Sequence, residues 1–186
     1  MNADERFQAL IRQGLAASRD NRREAALDLY AQAGAVLPGS GIPHFLIGSE
    51  HASAGDLAAA EAAFATAVLL SPDFPLARYQ LGLLQFSSQR AAMALVTWGP
   101  LLSLGPADSL GHFVRGFAAL AEERLEESAQ HFASGLACAD ANPAVASDIR
   151  QVLEAVHGLV SGKQGAPADE PTASHVLLAA YGRGLH

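Results

Sequence analysis

Residues 41–74 read GIPHFLIGSEHASAGDLAAAEAAFATAVLLSPDF, and their pattern of apolar, small and turn residues returns along the chain every 34 residues. A glycine marks the phase of each copy, and it stands at Gly14, Gly48, Gly82 and Gly116. A unit of this length cannot bury its apolar face alone, whereas stacked copies form a continuous core with a long binding surface. The sequence therefore predicts an all-α array in which one helical unit is repeated four times.

Three further positions follow each glycine at fixed distances. A small residue lets two antiparallel helices approach, an aromatic residue fills the space between them, and a proline ends the second helix. Spacings of three and four residues place such side chains on one helical face. These positions hold Ala26, Ala60, Ala94 and Ser128, then Tyr30, Phe64, Trp98 and Phe132, then Pro38, Pro72, Pro106 and, in the last copy, Asp140.

This pattern resembles the tetratricopeptide repeat (TPR) over roughly residues 7–142. The resemblance implies a TPR-type α-solenoid of antiparallel helix hairpins with a C-terminal capping helix. Its domain would cover 1–160, followed by a flexible linker at 161–171 and a short tail helix at 172–186. The expected repeats are about 7–40, 41–74, 75–108 and 109–142, and the expected capping helix is 144–160.

Helix boundaries follow from the turn residues. We expect first helices near 4–19, 41–54, 75–87 and 108–121, and second helices near 22–36, 57–70, 91–104 and 125–139. Pro100 falls inside the third of the second helices, where a proline removes a backbone hydrogen bond and clashes with the preceding turn. We therefore expect a kink or a broken turn at Gly99-Pro100.

Composition excludes several classes of function. A net charge of −7 argues against nucleic acid, because binding to phosphates depends on Lys and Arg. No uninterrupted apolar run approaches the ~20 residues that span a bilayer, and no apolar signal segment follows Met1. The single cysteine, Cys138, cannot form an intrachain disulfide and fits a reducing compartment. We expect a cytoplasmic protein.

The sequence also carries no catalytic signature. His44 and His51 share a helix face, but no Cys or carboxylate completes a metal-ligand set around them. Phosphate-binding glycine loops need a preceding strand, and no strand pattern occurs in the sequence. We expect no enzyme activity, no metal and no cofactor.

In TPR proteins the first helix of each hairpin lines the concave groove, so the resemblance places the candidate peptide-binding residues there. We expect most of them to face solvent as an apolar patch that binds an amphipathic helix or an extended apolar segment. The alternative is that neighbouring repeats or the tail of the chain cover this patch. The candidate residues are Ile11, Leu15, Ile42, Phe45, Ser49, Leu76, Tyr79, Leu83, Phe86, Leu110, Phe113 and Phe117.

The leading functional hypothesis is a non-enzymatic adaptor whose groove binds an apolar segment of a partner protein. The apolar groove argues against the basic clamp with which some TPR co-chaperones bind acidic tails, and the only lysine, Lys163, lies outside the repeats. Size, charge and groove also resemble the type III secretion chaperones that keep translocator proteins soluble. A third alternative is self-association through the same patch, with a second copy or the chain's own tail as the occupant.

Overall fold

Antiparallel helix hairpins make up the chain wherever the structure describes it. The computed structural model describes residues 2–163, so the tail helix expected at 172–186 and the linker from 164 to 171 lie outside the described residues. No strand occurs within residues 2–163, and the all-α expectation is confirmed. The helices are α1 (Ala3–Arg19), α2 (Arg23–Val36), α3 (Ile42–Ser53), α4 (Leu57–Leu70), α5 (Pro75–Ser87), α6 (Ala91–Leu102), α7 (Ser109–Ala121), α8 (Leu125–Ala137) and α9 (Pro143–Lys163).

The chain divides into two units within α5, between Leu81 and Gly82. In the first unit α1 packs against α2, α2 against α3, and α3 against α4. A capping box starts α1: the Glu5 N–H donates to Asn2 Oδ1 at 2.8 Å, and the Asn2 N–H donates to Glu5 Oε2 at 3.0 Å. The buried core of this hairpin consists of Phe7, Leu10, Ile11, Ala17, Ala26, Tyr30 and Ala33.

In the second unit α6 packs against α7, α7 against α8, and α8 against α9. Trp98, Phe113 and Phe132 are fully buried and fill this unit's core. Helix α9 begins at Pro143, where the missing proline N–H is not needed, and Asn142 Oδ1 accepts the next N–H at 3.0 Å from Ala144. It covers α8 with an apolar face that contains Val145, Ala146, Ile149, Val152 and Val156.

The turn inside each hairpin has the same backbone. One residue takes a positive φ, and the N–H of the next residue donates to a carbonyl five positions back, as Arg22 does to Ala17 at 2.8 Å and Arg124 to Ala119 at 2.9 Å. This is the Schellman arrangement that satisfies the last carbonyls of a helix. The positive-φ residues are again 34 positions apart: Asn21 (57°), Gly55 (78°), Gln89 (61°) and Glu123 (57°).

Two features of the helices differ from expectation. Of the kink or broken turn expected at Gly99-Pro100, the broken turn does not occur, because α6 runs through Pro100 to Leu102. The proline lies in the last turn, so little of the helix beyond it depends on the missing hydrogen bond. Helix α9 extends to Lys163, so residues 161–163 are helical rather than linker. The Ser161 hydroxyl donates to the His157 carbonyl at 2.9 Å within this last part of the helix.

Candidate functional site

Half of the candidate groove residues are core residues. The expectation that most of them face solvent is wrong for Ile11, Tyr79, Leu83, Phe86, Phe113 and Phe117, each of which is buried. The cause is visible around Phe117, whose ring centroid lies 5.3 Å from that of Phe86, 5.5 Å from that of Trp98 and 5.0 Å from that of Phe132. Aromatic rings at these separations stabilise one another within the fold.

Four candidates are partly buried. Phe45 packs with its ring centroid 5.6 Å from that of Phe64 and 4.9 Å from that of Phe74, so one side of the ring belongs to the core of the first unit. Ser49 turns its hydroxyl back to the Phe45 carbonyl at 3.0 Å and therefore offers no free donor. The other two partly buried candidates are Leu76 and Leu110.

Leu15 and Ile42 are the two candidates with large exposed side chains, at 42% and 41% exposure. Both lie on first helices, α1 and α3, at positions that the TPR resemblance assigns to ligand contact. Leu15 also lies within a helical stripe, because Gln8, Arg12 and Arg19 precede and follow it at spacings of three and four residues and are all exposed. This set of four residues, here called the α1 stripe, is an apolar centre between two cations.

The cations of the α1 stripe are available to a ligand. Neither Arg12 nor Arg19 takes part in a hydrogen bond or an ion pair among the described residues. By contrast, Arg22 and Arg23 nearby are both engaged: Arg22 contacts Asp20 at 3.2 Å, and Arg23 donates to the Glu50 carbonyl at 3.2 Å. The α1 stripe therefore combines exposed apolar surface with basic charge that has no partner in the described part of the chain.

Exposed apolar residues also occur on two second helices, α4 and α6, outside the predicted groove. Leu69 on α4 is 78% exposed, and Val96 on α6 is 81% exposed. The signal was present in the sequence, because α4 contains a single ionisable residue, Glu61, and α6 contains none. A helix that is apolar all round is normally buried. The positions of α2 and α8 that match Val96 are polar, Asp28 and Gln130, whereas those that match Leu69 are Ala35 and Ala137.

His51 of the first unit takes part in structural contacts. The Nδ1 atom of His51 lies 3.1 Å from the Arg23 guanidinium and 3.5 Å from the Asp56 carboxylate. Within residues 2–163 no group of three or more His, Cys, Asp or Glu side chains could hold a metal ion.

The thiol of Cys138, at the end of α8, donates to the Ser134 carbonyl at 3.4 Å. Burial raises the pKa of this thiol, and the charges of Asp140 and Asp108 raise it further. A raised pKa reduces the thiolate fraction and thus the reactivity.

No helix in the described part of the chain is long and apolar enough to cross a membrane. No protein-family model and no curated protein sequence matches this chain. Several solved structures match this chain. One is the MamA RS-1 ArsTM double mutant, with a TM-score of 0.62 and 18% sequence identity, covering 96% of this chain and 95% of that one. Another is MamA 41-end from Desulfovibrio magneticus RS-1, with a TM-score of 0.61 and 18% identity, covering 94% and 93%.

The fold is an all-α, TPR-like solenoid. At this identity the likeness establishes the fold alone, and it extends over almost the whole length of both chains. Folds of this type host many unrelated activities, so function has to be argued from the surface that the chain presents. The division into four repeats at the boundaries given above stays a prediction.

Proposed function

We propose that this protein is a non-enzymatic interaction scaffold that binds an apolar helix or peptide of a partner protein on its first helices. The observation that carries the proposal is the exposure of Leu15 and Ile42, two large apolar side chains at positions that the TPR resemblance assigns to ligand contact. Exposed apolar side chains of this kind release water on binding and anchor a partner. The candidate aromatic residues Tyr79, Phe86, Phe113 and Phe117 belong to the core and are not part of this surface.

The charge of the α1 stripe narrows the chemistry of the partner. Arg12 and Arg19 lie on either side of Leu15, and neither forms an ion pair or a hydrogen bond within residues 2–163. A partner helix with a leucine or phenylalanine anchor next to acidic side chains complements this surface, because each arginine can then form a charge-assisted hydrogen bond. The same two arginines would repel a lysine-rich partner at this surface, although the net charge of −7 would attract such a partner elsewhere on the molecule.

We further propose that the protein is located in the cytoplasm, because its single cysteine, Cys138, fits a reducing compartment.

The proposal is tested with two designed amphipathic helical peptides that share the same leucine anchors and differ in flanking glutamate or lysine. Fluorescence anisotropy should show binding of the glutamate peptide alone. Replacing Leu15 and Ile42 by Asp should weaken it at least about tenfold, which is ~1.4 kcal/mol. Leu57→Asp is the matched control, because Leu57 is 40% exposed but lies on α4. Equal binding of both peptides, or equal loss with the control, would refute the proposal.

Self-association is a second candidate function, favoured by the exposure of Leu69 and Val96. Charged replacements on these faces should dissociate an oligomer, and the repeat supplies matched controls. Leu69→Glu is compared with Ala35→Glu, which holds the same repeat position on α2; Val96→Glu is compared with Gln130→Glu on α8. Sedimentation velocity decides: a monomer at all concentrations excludes this function. The secretion-chaperone alternative is tested separately, by co-expression with an aggregation-prone membrane protein.

A further inference from the structure

Two histidines of the second unit face each other across the α7–α8 hairpin. The Nδ1 atoms of His112 and His131 are 3.4 Å apart, and the ring centroids are 5.7 Å apart. The difference between these distances is about one ring width, so the two rings point at each other through these nitrogens. This arrangement is a nitrogen-to-nitrogen hydrogen bond, in which one Nδ1 carries the proton and the other accepts it.

The surroundings of His112 decide which nitrogen donates. Its Nε2 lies 2.9 Å from the Pro106 carbonyl oxygen, which can only accept, so this nitrogen carries a proton. In neutral His112 the Nδ1 is therefore the acceptor, and His131 must donate its Nδ1 proton. The other nitrogen of His131, Nε2, is then unprotonated and lies 3.9 Å from Glu127 Oε1.

Charged groups around the pair oppose a second positive charge. On α8, Glu127 favours protonated His131, but it also forms ion pairs with Arg124 of the same helix end. On α7, Arg115 lies close enough to act against a charge on His131. Helix α6 has no ionisable side chain. On α9, Asp148, Arg150, Glu154 and His157 have no hydrogen bond or ion pair with either histidine in the described structure.

Helices α7 and α8 are tightly packed beside the histidine pair. A Cβ on Gly135 of α8 would come within 3.0 Å of the His112 Cβ, so the two backbones are in close contact beside the pair. The loop that leads into α7 is held from the same side: His112 binds the Pro106 carbonyl, and Arg115 donates to the carbonyls of Leu102, at 2.9 Å, and Leu104. The histidine pair thus connects α7, α8 and this loop.

We propose that the His112–His131 pair is a proton-sensitive latch that fastens the α7–α8 hairpin at neutral pH and loosens it on acidification. A proton on His131 Nε2, beside Glu127, leaves the bond between the rings intact. When both rings are charged, the added proton on His112 is on Nδ1, which ends the hydrogen bond and places two cations next to each other.

The direction of the pH effect follows from His131. The pKa of His131 is lowered, chiefly by burial and then by the charges of His112, Arg115 and Arg124. The carboxylate of Glu127 acts in the opposite direction. The unfolded chain therefore binds protons more readily than the folded hairpin, so this contribution to stability is complete above about pH 6.5 and is lost as the pH falls through the lowered pKa. The hairpin is held at neutral pH and weakened in mildly acidic conditions.

Nitrogen-15 NMR of the full chain tests the latch directly. At neutral pH we expect His131 in the Nδ1–H form and His112 in the Nε2–H form. Between about pH 7.5 and about pH 5, hydrogen-exchange protection of α7 and α8, corrected for intrinsic rates, should fall about tenfold. His131→Gln should remove this pH dependence. His157→Gln, which changes an exposed histidine without side-chain partners, should keep it.

Two results would overturn the latch. One is an Nε2–H tautomer on neutral His131, which is read from the unmodified chain and so does not depend on any variant folding. The other is an unchanged acid-dependent loss of protection in His131→Gln.

Discussion

A methyl group added to Gly82 would lie 2.2 Å from Nε1 of the Trp98 indole, closer than any two such atoms can approach. The glycine of each copy bears the same relationship to the aromatic residue sixteen positions later, since it leaves the space that the ring occupies. The corresponding nearest distances are 2.3 Å for Gly14 to Tyr30, 2.7 Å for Gly48 to Phe64 and 2.5 Å for Gly116 to Phe132. The glycines are required by packing between two helices rather than by a turn.

Gly82→Ala should therefore destabilise the second unit by about 1–3 kcal/mol, the usual range for overpacking a core. Trp98 is the only tryptophan, so its fluorescence during urea unfolding follows this unit. Gly158→Ala is the control, because a Cβ at Gly158 of α9 meets no atom within 4 Å. It should stabilise by about 0.5–1 kcal/mol through helix propensity. Destabilisation by both variants would show that the contact with Trp98 is not the cause.

Ser128→Ala should stabilise the protein. The Ser128 hydroxyl is fully buried and has no hydrogen-bond partner within the described structure, while the other three copies have alanine at this position. Removing an unsatisfied buried hydroxyl should raise the free energy of unfolding by about 1–2 kcal/mol. Ser134→Ala, at an exposed position of the same helix, should change it by less than about 0.5 kcal/mol. Urea titration of both variants checks the difference, and a destabilised Ser128→Ala would contradict it.

Phe113→Ala should be among the most damaging single substitutions. The ring has no exposed surface, and its Cε1 would lie 2.5 Å from a Cβ placed on Gly135. Loss of a buried phenylalanine costs about 3–5 kcal/mol because a cavity remains. Val96→Ala, at an 81% exposed position, is the comparison and should cost less than about 0.5 kcal/mol. The measurement is the midpoint of urea unfolding, followed by circular dichroism. An unchanged midpoint for Phe113→Ala would contradict the burial of this ring.

The contribution of Asp148 to stability should depend on pH in the direction opposite to that of most carboxylates. Burial raises the pKa of this side chain, so the folded state holds its proton more firmly than the unfolded chain. The stability from this group is complete below its ordinary pKa, about 4, and is lost as the pH rises through the raised pKa. Asp148→Asn should thus stabilise at about pH 7 and give no gain at about pH 3.5. Glu154→Gln, exposed on the same helix, serves as the control in urea titrations at both pH values.

The sequence predicted the helices well, because the 34-residue phase fixes where each hairpin turns. The expected second helix at 57–70 and the observed α4, Leu57–Leu70, have the same bounds. The largest errors fall at the C-terminal ends of α6, α8 and α9, where no residue distinguishes the last helical turn from the loop. Ser161-Gly162 indicates a linker in the sequence, yet α9 continues through both residues to Lys163.

The candidate site was predicted less well, and Leu15 and Leu83 show why. Both residues hold the same repeat position, but the first is 42% exposed and the second is buried. An apolar side chain on a first helix can face either the groove or the core, and the same spacing describes both. The pairing of His112 with His131 could not be predicted from the repeat, because the contact occurs only once in the four copies. The third copy has Arg78 and Thr97 at the equivalent positions.

The left-handed residue inside each hairpin limits how the chain can tolerate changes in length. Asn21, Gly55, Gln89 and Glu123 differ in chemistry but hold the same turn, so its geometry is imposed by the two helices that it joins. Deleting one residue there would rotate the following helix by roughly 100° about its axis. The aromatic ring would then leave its glycine and face solvent. Additional residues can therefore be accommodated only in the connections between hairpins.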